Sequence, residues 1–372
     1  MARRRDTIRS EIARAESSRS GCSMAAGYFA SPPRTQEKCI SAAPARSKDA
    51  PLMPLSPPAN PASPKVGVIF NPRSHRNRTS RAAAEALPGV VVASPAMRGE
   101  LRGVLTDFAE RAVDCIVISG GDGTVRDVLT AGMPLFGADW PLLAVLPTGK
   151  TNALNVDLGA PKNWTLEGVI AAIADGRQVV RRPLVVRDLS DGGELVGFVF
   201  GAGLFTVAIN AGQDAHRLGA FDSLAIGATA GWGLLQTLFG SDRNVWRRGA
   251  PMRVRLGQDA RELPHAAKGD PQRRALLLAS TIEGFSFGMK PFGARTGLKL
   301  GVIDHPRRRL MALIPMIAAG WDRPLLARLG LHRCETDRIL LDLGGRFILD
   351  GEAFPEGSYE LTPGPPLRFV VP

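Results

Sequence analysis

A glycine-rich turn between an apolar run and a helical segment constrains the fold of this chain more than any other feature. The turn has the sequence GGDGT and comprises Gly120, Gly121, Asp122, Gly123 and Thr124. The apolar run at residues 115–119 has the composition of a buried strand, and residues 125–129 have the pattern of a helix. A strand, a tight turn and a helix in this order are typical of α/β proteins.

The GGDGT turn has the chemistry of a phosphate site. Glycine has no side chain and tolerates unusual backbone angles, so backbone N–H groups can converge on an anion. The N-terminus of the following helix adds partial positive charge on the same side. The carboxylate of Asp122 would repel a phosphate unless a metal ion or a transferred proton lies between them. This combination indicates phosphoryl transfer rather than passive anion binding.

Residues 64–182 alternate between apolar runs and helical patterns. We expect strands at residues 66–70, 89–93, 114–119 and 142–146, and helices at residues 80–87, 100–112 and 124–131, the last closed by Gly132. Such alternation predicts a doubly wound parallel sheet whose ligands bind at the carboxyl ends of the strands. We therefore interpret residues 64–182 as an α/β nucleotide-binding domain.

The pattern changes after about Arg181. Short β-like runs separated by glycines and polar turns follow, at residues 184–187, 195–200, 252–256, 275–281, 298–303, 338–343 and 346–349. They predict an antiparallel, β-sandwich-like domain at residues 183–372, interrupted by helical blocks at residues 204–239 and 309–329. Residues 1–63 are rich in Arg, Ser, Ala and Pro without an apolar period, which indicates disorder. An over-extended gene model, with translation starting at Met24 or Met53, is the alternative.

A second polar loop follows the first predicted strand. It comprises Asn71, Pro72, Arg73 and Ser74. Asn and Ser side chains can hydrogen-bond to phosphate or ribose, and Arg73 can bind phosphate oxygens through two N–H groups. Asn-Pro by itself equally suits an ordinary type I turn, so this loop alone does not indicate a site.

A third loop follows the strand predicted at residues 142–146. It comprises Gly149, Lys150, Thr151 and Asn152, and its Gly-Lys-Thr resembles the end of a Walker A motif. That motif needs an earlier glycine at the position of Ala144, which lies inside the predicted strand. We therefore expect a phosphate-side loop in the same cleft as GGDGT rather than a P-loop.

Two carboxylates, Asp350 and Glu352, follow an apolar run near the C-terminus. Around the intervening glycine they can project into one cleft, where they could accept a hydroxyl proton or hold Mg²⁺. A plain hairpin turn is the usual meaning of an Asp-Gly pair, so both interpretations stay open for this segment alone.

The chain is strongly basic, with a formal net charge of +12 and a pI near 10.3. Nucleic acid, an anionic lipid surface and an anionic nucleotide all suit such a charge. Aromatic residues make up only 6% of the chain and no nucleic-acid-binding signature is present, so we favour the nucleotide and the lipid surface. The four cysteines form no metal-ligand pattern, which predicts reduced thiols in a cytoplasmic protein.

We expect no transmembrane segment, because the longest apolar stretches are interrupted by polar residues, glycines and prolines. The helices near Trp232 and Trp321 could instead lie on an anionic bilayer. The basic residues nearby are Arg243, Arg247, Arg248, Arg307, Arg308 and Arg309. The alternative is that these helices belong to the core and that the arginines form a solvated face.

Taken together, the motifs resemble those of the diacylglycerol kinase catalytic family, which includes bacterial lipid kinases, sphingosine kinases and ceramide kinases. The family order is NPxSG, GGDGT, PxGTxND and DGE. This chain has NPRSH at residues 71–75, GGDGT at 120–124, PTGKTNA at 147–153 and DGE at 350–352. The resemblance covers about residues 65–372 and implies a kinase that depends on ATP and Mg²⁺, with a nucleotide-binding domain and a lipid domain.

The resemblance also implies roles for individual residues. Asn71, Ser74, the GGDGT residues and Asn152 would line the nucleotide, and Ser94 would stand on its adenine side. Asp350 and Glu352 would be the catalytic carboxylates, with Glu352 as proton acceptor. Asp122 matches the residue that some members use as the base, so both assignments stay open.

The chain departs from the family pattern at several positions. His75 replaces a glycine, Lys150 a threonine that meets phosphate, and Ala153 an acidic residue. Thr296 stands where bacterial members have an aspartate that helps to hold a structural Mg²⁺, so we expect that metal site to be absent. These departures indicate a divergent branch and leave diacylglycerol, ceramide and sphingoid bases all open as substrates.

The expected activity is transfer of the γ-phosphoryl group of ATP to a lipid hydroxyl at a membrane surface. A soluble enzyme similar to NAD kinase, which shares the GGDGT motif, is one alternative. A lipid- or nucleotide-binding protein that has lost catalysis is another, given Lys150 and Thr296. The sequence does not indicate an oligomeric state.

Overall fold

The computed structural model describes residues 64–72, 77–149, 152–208, 233, 235–241, 244–266, 269–304 and 308–372. The helices are α1 Asn77–Glu85, α2 Leu101–Glu110, α3 Asp122–Phe136, α4 Ala153–Asp157, α5 Leu166–Ala174, α6 Val245–Arg248, α7 Arg308–Ala312, α8 Ile314–Ala318 and α9 Pro324–Arg328, with 3₁₀ turns at Arg98–Glu100 and Ser286–Gly288. Residues 204–208 and 235–239 are also helical.

The strands follow one another along the whole described chain. They are β1 Val66–Phe70, β2 Val90–Ala93, β3 Cys115–Gly120, β4 Leu142–Pro147, β5 Gln178–Arg181, β6 Leu184–Asp188, β7 Glu194–Gly197, β8 Val199–Gly203, β9 Ala250–Leu256, β10 Arg261–Glu262, β11 Arg273–Arg274, β12 Leu276–Ser280, β13 Lys299–Ile303, β14 Leu331–Glu335, β15 Ile339–Leu343, β16 Phe347–Leu349, β17 Glu352–Phe354, β18 Gly357–Pro363 and β19 Leu367–Val370.

The first sheet has the strand order β2-β1-β3-β4-β19-β5. All neighbouring pairs are parallel except β19 with β5. Every residue of β1, β3 and β4 is buried, because helices cover both faces. Helices α2 and α3 pack on one face, and α1 and α5 pack on the other. This confirms the doubly wound α/β arrangement predicted from the alternating pattern.

The second and third sheets form a sandwich. The second has the order β10-β9-β15-β18-β6-β7 and the third β14-β13-β12-β8-β16-β17, and both are antiparallel. Side chains from both sheets form one core, in which Val254 and Leu341 of the second sheet belong to the same cluster as Phe200 and Leu300 of the third. The predicted antiparallel, sandwich-like part of the chain is therefore confirmed.

The chain returns to the first sheet at its end. Strand β19 lies between β4 and β5, and Leu367 and Phe369 are completely buried in the core under that sheet. The sequence analysis does not foresee this strand, because its apolar residues occupy a short segment between prolines. The parallel sheet is thus completed by residues almost 200 positions beyond its other strands.

Helix α3 is longer than the sequence predicts. We expected it to end at Gly132, but it continues to Phe136 and ends at Gly137, which has φ of 54°. Gly132 is a packing residue instead, since a Cβ atom there would overlap the ring of Trp140.

The helical block predicted at residues 309–329 is divided into three short helices, α7 to α9. Pro315 and Pro324 lie in the first turns of α8 and α9.

A helical layer covers one side of the third sheet. Helices α7, α8 and α9 pack with Leu238 around a small apolar core that includes Ile303 and Leu331. Across the described residues, no helix combines the length and the apolar character that crossing a membrane requires. Most of the block predicted at residues 204–239, including Trp232, lies outside the described residues, as do Arg243 and Arg307.

Candidate active site

Four loops meet at the carboxyl edge of the first sheet. Because β2, β1, β3 and β4 are adjacent and parallel, the residues that follow them lie side by side. The side chain of Asn71, after β1, donates a hydrogen bond to the hydroxyl of Thr124 at 2.9 Å. The hydroxyl of Ser94, after β2, donates to the carbonyl of Phe70 at 3.5 Å. The predicted convergence of these loops is therefore present.

The glycines of this edge permit close approach of two loops. Gly121 has φ of −95° and ψ of −176°, which any residue can adopt, so a left-handed backbone is not the reason for glycine here. A Cβ atom on Gly149 would overlap the Cα atom of Gly121 and lie 2.7 Å from Oδ1 of Asn152. The GGDGT turn and the loop after β4 thus touch through their backbones.

The carboxylate of Asp122 joins these two loops. Its Oδ2 accepts the backbone N–H of Ala153 at 2.9 Å, and its Oδ1 accepts the N–H of Leu154 at 3.2 Å. Both donors belong to the first turn of α4, where backbone N–H groups lack helical partners. The aspartate in the middle of the glycine turn therefore caps the neighbouring helix.

Asn152 shapes the loop that precedes α4. It has φ of 47°, in the left-handed region. Its side chain accepts the N–H of Gly149 at 3.0 Å and donates to the carbonyl of the same residue at 2.8 Å. The neighbouring candidates Lys150 and Thr151 lie outside the described residues, as do Arg73, Ser74 and His75.

Asp350 reaches this edge from the far end of the chain. It lies in the turn between β16 and β17, and it lines a small cavity together with Asp122, Ala153 and Phe198. Its carboxylate accepts the N–H of Phe198 at 3.0 Å and that of Val199 at 2.9 Å. Burial and the nearby negative charge of Asp122 nevertheless raise the pKa of Asp350 to about 7.

Glu352 lies two residues further on, between two arginines. Both Arg98 and Arg126 donate hydrogen bonds to its Oε2. Burial alone would raise the pKa of Glu352, but the hydrogen bond from Arg98 and the charges of Arg126 and Arg98 outweigh it and lower the pKa below its usual range. The structure therefore brings Asp122, Asp350 and Glu352 to one region, and it shifts the pKa values of Asp350 and Glu352 in opposite directions.

The sequence analysis missed the two arginines and their second partner, Asp127. Asp127 accepts from Nη2 of Arg126 at 2.7 Å and pairs with Nε of Arg98 at 2.9 Å. Arg126 is the second residue after the glycine turn and lies between the buried residues Val125 and Val128. The sequence contains one signal for Arg126, because it is a charged residue on the apolar face of a predicted helix. Such a residue is rarely buried without a specific partner.

Two of these carboxylates are suited to a divalent cation. No group of three or more His, Cys, Asp or Glu side chains among the described residues is arranged to hold a metal ion. Mg²⁺, however, is commonly bound by one or two carboxylates with substrate phosphates supplying further ligands. Asp122 and Asp350 fit that donor set, because both carboxylates line the same small cavity and the charge of Asp122 adds to burial in raising the pKa of Asp350.

The α/β part of the chain is similar in sequence to known proteins. Residues 65–181 match the model of the diacylglycerol kinase catalytic domain. A diacylglycerol kinase of Bacillus subtilis (strain 168) is 28% identical over 116 residues, which are 29% of this chain and 38% of that protein. The matched region therefore spans well under half the length of this curated relative.

Solved structures extend the similarity in fold to most of the chain. A crystal structure of a diacylglycerol kinase from Bacillus anthracis str. Sterne superposes with a TM-score of 0.55 at 17% identity, covering 83% of this chain and 97% of that one. A second structure from the same organism gives a TM-score of 0.56 at 18% identity with the same coverage. The resemblance inferred from the motifs is confirmed, at sequence level over residues 65–181 and at fold level beyond them.

Proposed function

We propose that this chain is a lipid kinase that transfers the γ-phosphoryl group of ATP to the hydroxyl group of a lipid. One observation carries the proposal: the carboxylate of Asp350 lines the same cavity as Asp122, although the two residues are 228 positions apart in the sequence. A glycine turn alone is compatible with passive phosphate binding. Carboxylates beside it add groups that can hold a metal ion or accept a proton.

The nucleotide is expected to bind at the carboxyl edge of the first sheet. Its phosphates would face the backbone N–H groups at the start of α3, where the helix dipole favours negative charge. Asn71, Gly121 and Gly149 line this edge, and Pro72, Arg73, Ser74, Lys150, Thr151 and Asn152 belong to the same loops. Ser94, the residue after β2, would lie on the adenine side of the nucleotide.

The carboxylates are assigned separate tasks. Asp122 and Asp350 would hold Mg²⁺ together with the phosphates of the nucleotide, and the ion would supply charge neutralisation during transfer. Glu352 is the candidate proton acceptor for the lipid hydroxyl, because its lowered pKa keeps it ionised at neutral pH. In a loose transition state the proton leaves late, so a weak base in a fixed position suffices.

The helical layer over the third sheet is the candidate membrane face. Five large apolar side chains of this layer and of adjoining segments are exposed, namely Leu235, Phe239, Met289, Met316 and Leu325. Exposed basic residues on the same or adjoining segments are Arg248, Lys290, Arg308, Arg309, Arg323 and Arg328. Apolar side chains flanked by cations are typical of peripheral association with anionic bilayers.

Neither sequence interpretation of Arg247, as a residue on a bilayer or on a solvated face, fits the structure. Arg247 is buried and donates a hydrogen bond to the carbonyl of Thr237. Trp321 is half-buried against the apolar core of the helical layer. The surface available to a membrane is therefore formed by residues other than Trp321 and Arg247.

A kinase assay with labelled ATP and Mg²⁺ tests the function. The acceptors are diacylglycerol, ceramide and sphingosine in mixed micelles, with NAD as a soluble acceptor. Labelled lipid is the expected result, and Glu352→Gln should abolish turnover while ATP binding persists. Labelling of NAD alone would replace the proposal by a soluble kinase, and ATP binding without any turnover would indicate a binding protein.

A sedimentation assay tests the membrane face separately. The protein should sediment with vesicles that contain phosphatidylglycerol and not with vesicles of phosphatidylcholine alone. Phe239→Ser and Leu325→Ser together should weaken sedimentation several-fold, whereas Met97→Ser, an equally exposed apolar position elsewhere, should not. Equal effects of both changes would reject this face.

A further inference from the structure

Arg126 is a charged side chain in the interior of the protein. Only 1% of its surface is exposed, although it lies two residues after the GGDGT turn. Its Nη1 donates to the carbonyl of Leu349 at 3.1 Å, and its Nη2 donates to Asp127 at 2.7 Å and to Glu352. A buried guanidinium persists only with such partners, because removing it from water is costly.

Arg126 contacts the hairpin that carries the two catalytic candidates on both sides of its turn. Leu349 is the last residue of β16, and Glu352 is the first residue of β17. The guanidinium also lies 5.4 Å from the centre of the Phe354 ring, within the range of a cation–π interaction. One side chain of helix α3 therefore binds the residues before, within and after the Asp350-Gly351-Glu352 segment.

The turn between β16 and β17 is the two-residue loop Asp350-Gly351, between the paired residues Leu349 and Glu352. Asp350 has φ of 46° and Gly351 has φ of 83°, so two consecutive residues are in the left-handed region. Asp-Gly is a favoured sequence for such a hairpin turn, so the local sequence shapes the turn itself. The contacts of Arg126 and the backbone N–H groups bound by Asp350 fix the position of the turn against the neighbouring elements.

We propose that Arg126 is a positioning residue that fixes the carboxylate of Glu352 relative to the GGDGT turn. This inference rests on the proposed kinase function, for which Glu352 is the proton acceptor. Arg98 binds the same Glu352 and Asp127, but its ion pairs are weaker because its side chain is 60% exposed. The buried arginine thus sets the position, and the exposed one binds the same carboxylates from the solvent side.

Kinetics of Arg126→Met test the role in catalysis. We expect kcat to fall about 10²-fold, which is a common effect of small misplacement of a reacting group, while the KM for ATP stays unchanged. Loss of the guanidinium should also raise the pKa of Glu352, so the acidic limb of the kcat profile should move to higher pH.

Two measurements test the geometry without any turnover. The first is a ¹³C NMR titration of the Glu352 carboxyl group, assigned by its loss in Glu352→Gln. The second is hydrogen exchange of residues 349–354. Arg126→Met should raise the pKa and reduce the protection of this segment. The control is Arg274→Met, which removes another buried arginine, paired with Asp304, and should change neither value.

The possible results separate the positioning role from the kinase function. If the wild-type protein phosphorylates no acceptor, the proposed function fails, and the NMR and exchange measurements still decide the role of Arg126. The inference would be overturned if Arg126→Met changed neither the pKa of Glu352 nor the protection of residues 349–354. Equal changes in Arg274→Met would overturn it as well. If Arg126→Met does not fold, Arg126→Lys replaces it: a lysine keeps the charge but cannot reach all three acceptors, so wild-type protection of residues 349–354 would then contradict the proposal.

Discussion

The ionisation of Asp350 gives a prediction at the level of a single residue. Its pKa is raised from 3.8 to about 7 by burial and by Asp122, so the folded protein binds this proton more tightly than the unfolded chain. The stability contributed by Asp350 is therefore complete below about pH 4 and is lost as the pH rises towards 7. Asp350→Asn should be more stable than the wild type at pH 8, with the difference vanishing near pH 4.

Urea unfolding without nucleotide or Mg²⁺ measures this difference. At about 1.4 kcal/mol per pKa unit, the gain at pH 8 is a few kcal/mol at most. An asparagine retains one oxygen for the N–H groups of Phe198 and Val199, so the turn should stay intact. Asp342→Asn, which changes an ion pair between partly exposed side chains, is the control. A wild type that is more stable than Asp350→Asn at pH 8 would contradict the assigned ionisation.

Asp122 gives a second residue-level prediction. Each of its carboxylate oxygens accepts a different N–H of α4, and asparagine offers only one acceptor oxygen. Asp122→Asn should therefore destabilise the protein by about 1 kcal/mol, the usual scale of a helix cap, and should increase hydrogen exchange in residues 153–157. Asp139→Asn, at an exposed position after α3, should have little effect. Unaltered exchange in α4 would exclude the capping role.

Sequence patterns single out the candidate carboxylates, but they do not indicate which carboxyl group is protonated and which is ionised. Asp122, Asp350 and Glu352 stand out because they adjoin glycines at predicted strand ends. The arginines that lower the pKa of Glu352 come from other segments, and their contacts depend on how α3 and the C-terminal hairpin pack. The difference between a protonatable Asp350 and an ionised Glu352 therefore arises only in the folded structure.

At the level of elements, the GGDGT turn touches the loop after β4. This contact predicts that an alanine destabilises the protein strongly at Gly149 and little at Gly123. Gly149→Ala would introduce a Cβ atom into the backbone of Gly121, whereas the Cβ atom of Gly123→Ala would have its nearest neighbour 3.8 Å away, at Nη2 of Arg126. We expect Gly149→Ala to lose about 1–3 kcal/mol, as overpacked sites do. Gly123→Ala, in the first turn of α3, should be neutral or slightly stabilising.

Urea unfolding and binding of an ATP analogue together measure the effect. Since the two loops form the predicted phosphate side of the cleft, Gly149→Ala should weaken nucleotide binding as well as stability. Equal stability of the two alanine variants would show that the loops do not approach each other in solution.

The elements themselves were predictable where local pattern decides them. Strands β1, β3 and β4 lie within one residue of their expected bounds because they are continuous buried runs. Helix α3 extends past Gly132 because the packing of Trp140 against that glycine outweighs its low helix propensity. The short strand β14 gains its hydrogen bonds from β13, which lies before helices α7 to α9 in the sequence, and its own residues carry no sufficient signal.

At the scale of the whole molecule, the order of segments along the chain differs from their order in space. The sequence divides near residue 182 in composition, but β19 pairs with β4 through Phe369 and Leu143 and with β5 along its length. Its side chains enter both cores of the first sheet, with Leu367 and Phe369 on one face and Val370 on the other. No local pattern reveals such pairing, since the register is set by partners on a different segment.

This arrangement predicts that residues 64–182 cannot fold alone. Without β19, strand β4 has an open edge and β5 loses its pairing partner, and the cores on both faces lose completely buried side chains. We expect the isolated fragment to show no cooperative thermal transition and no near-ultraviolet circular dichroism. Fusion of residues 365–372 to its end through a Gly/Ser linker should restore both, and Phe369→Ala in that fusion should abolish them again, since such truncations cost about 3–5 kcal/mol. Cooperative unfolding of the unfused fragment would show that the C-terminal strand is dispensable to the sheet.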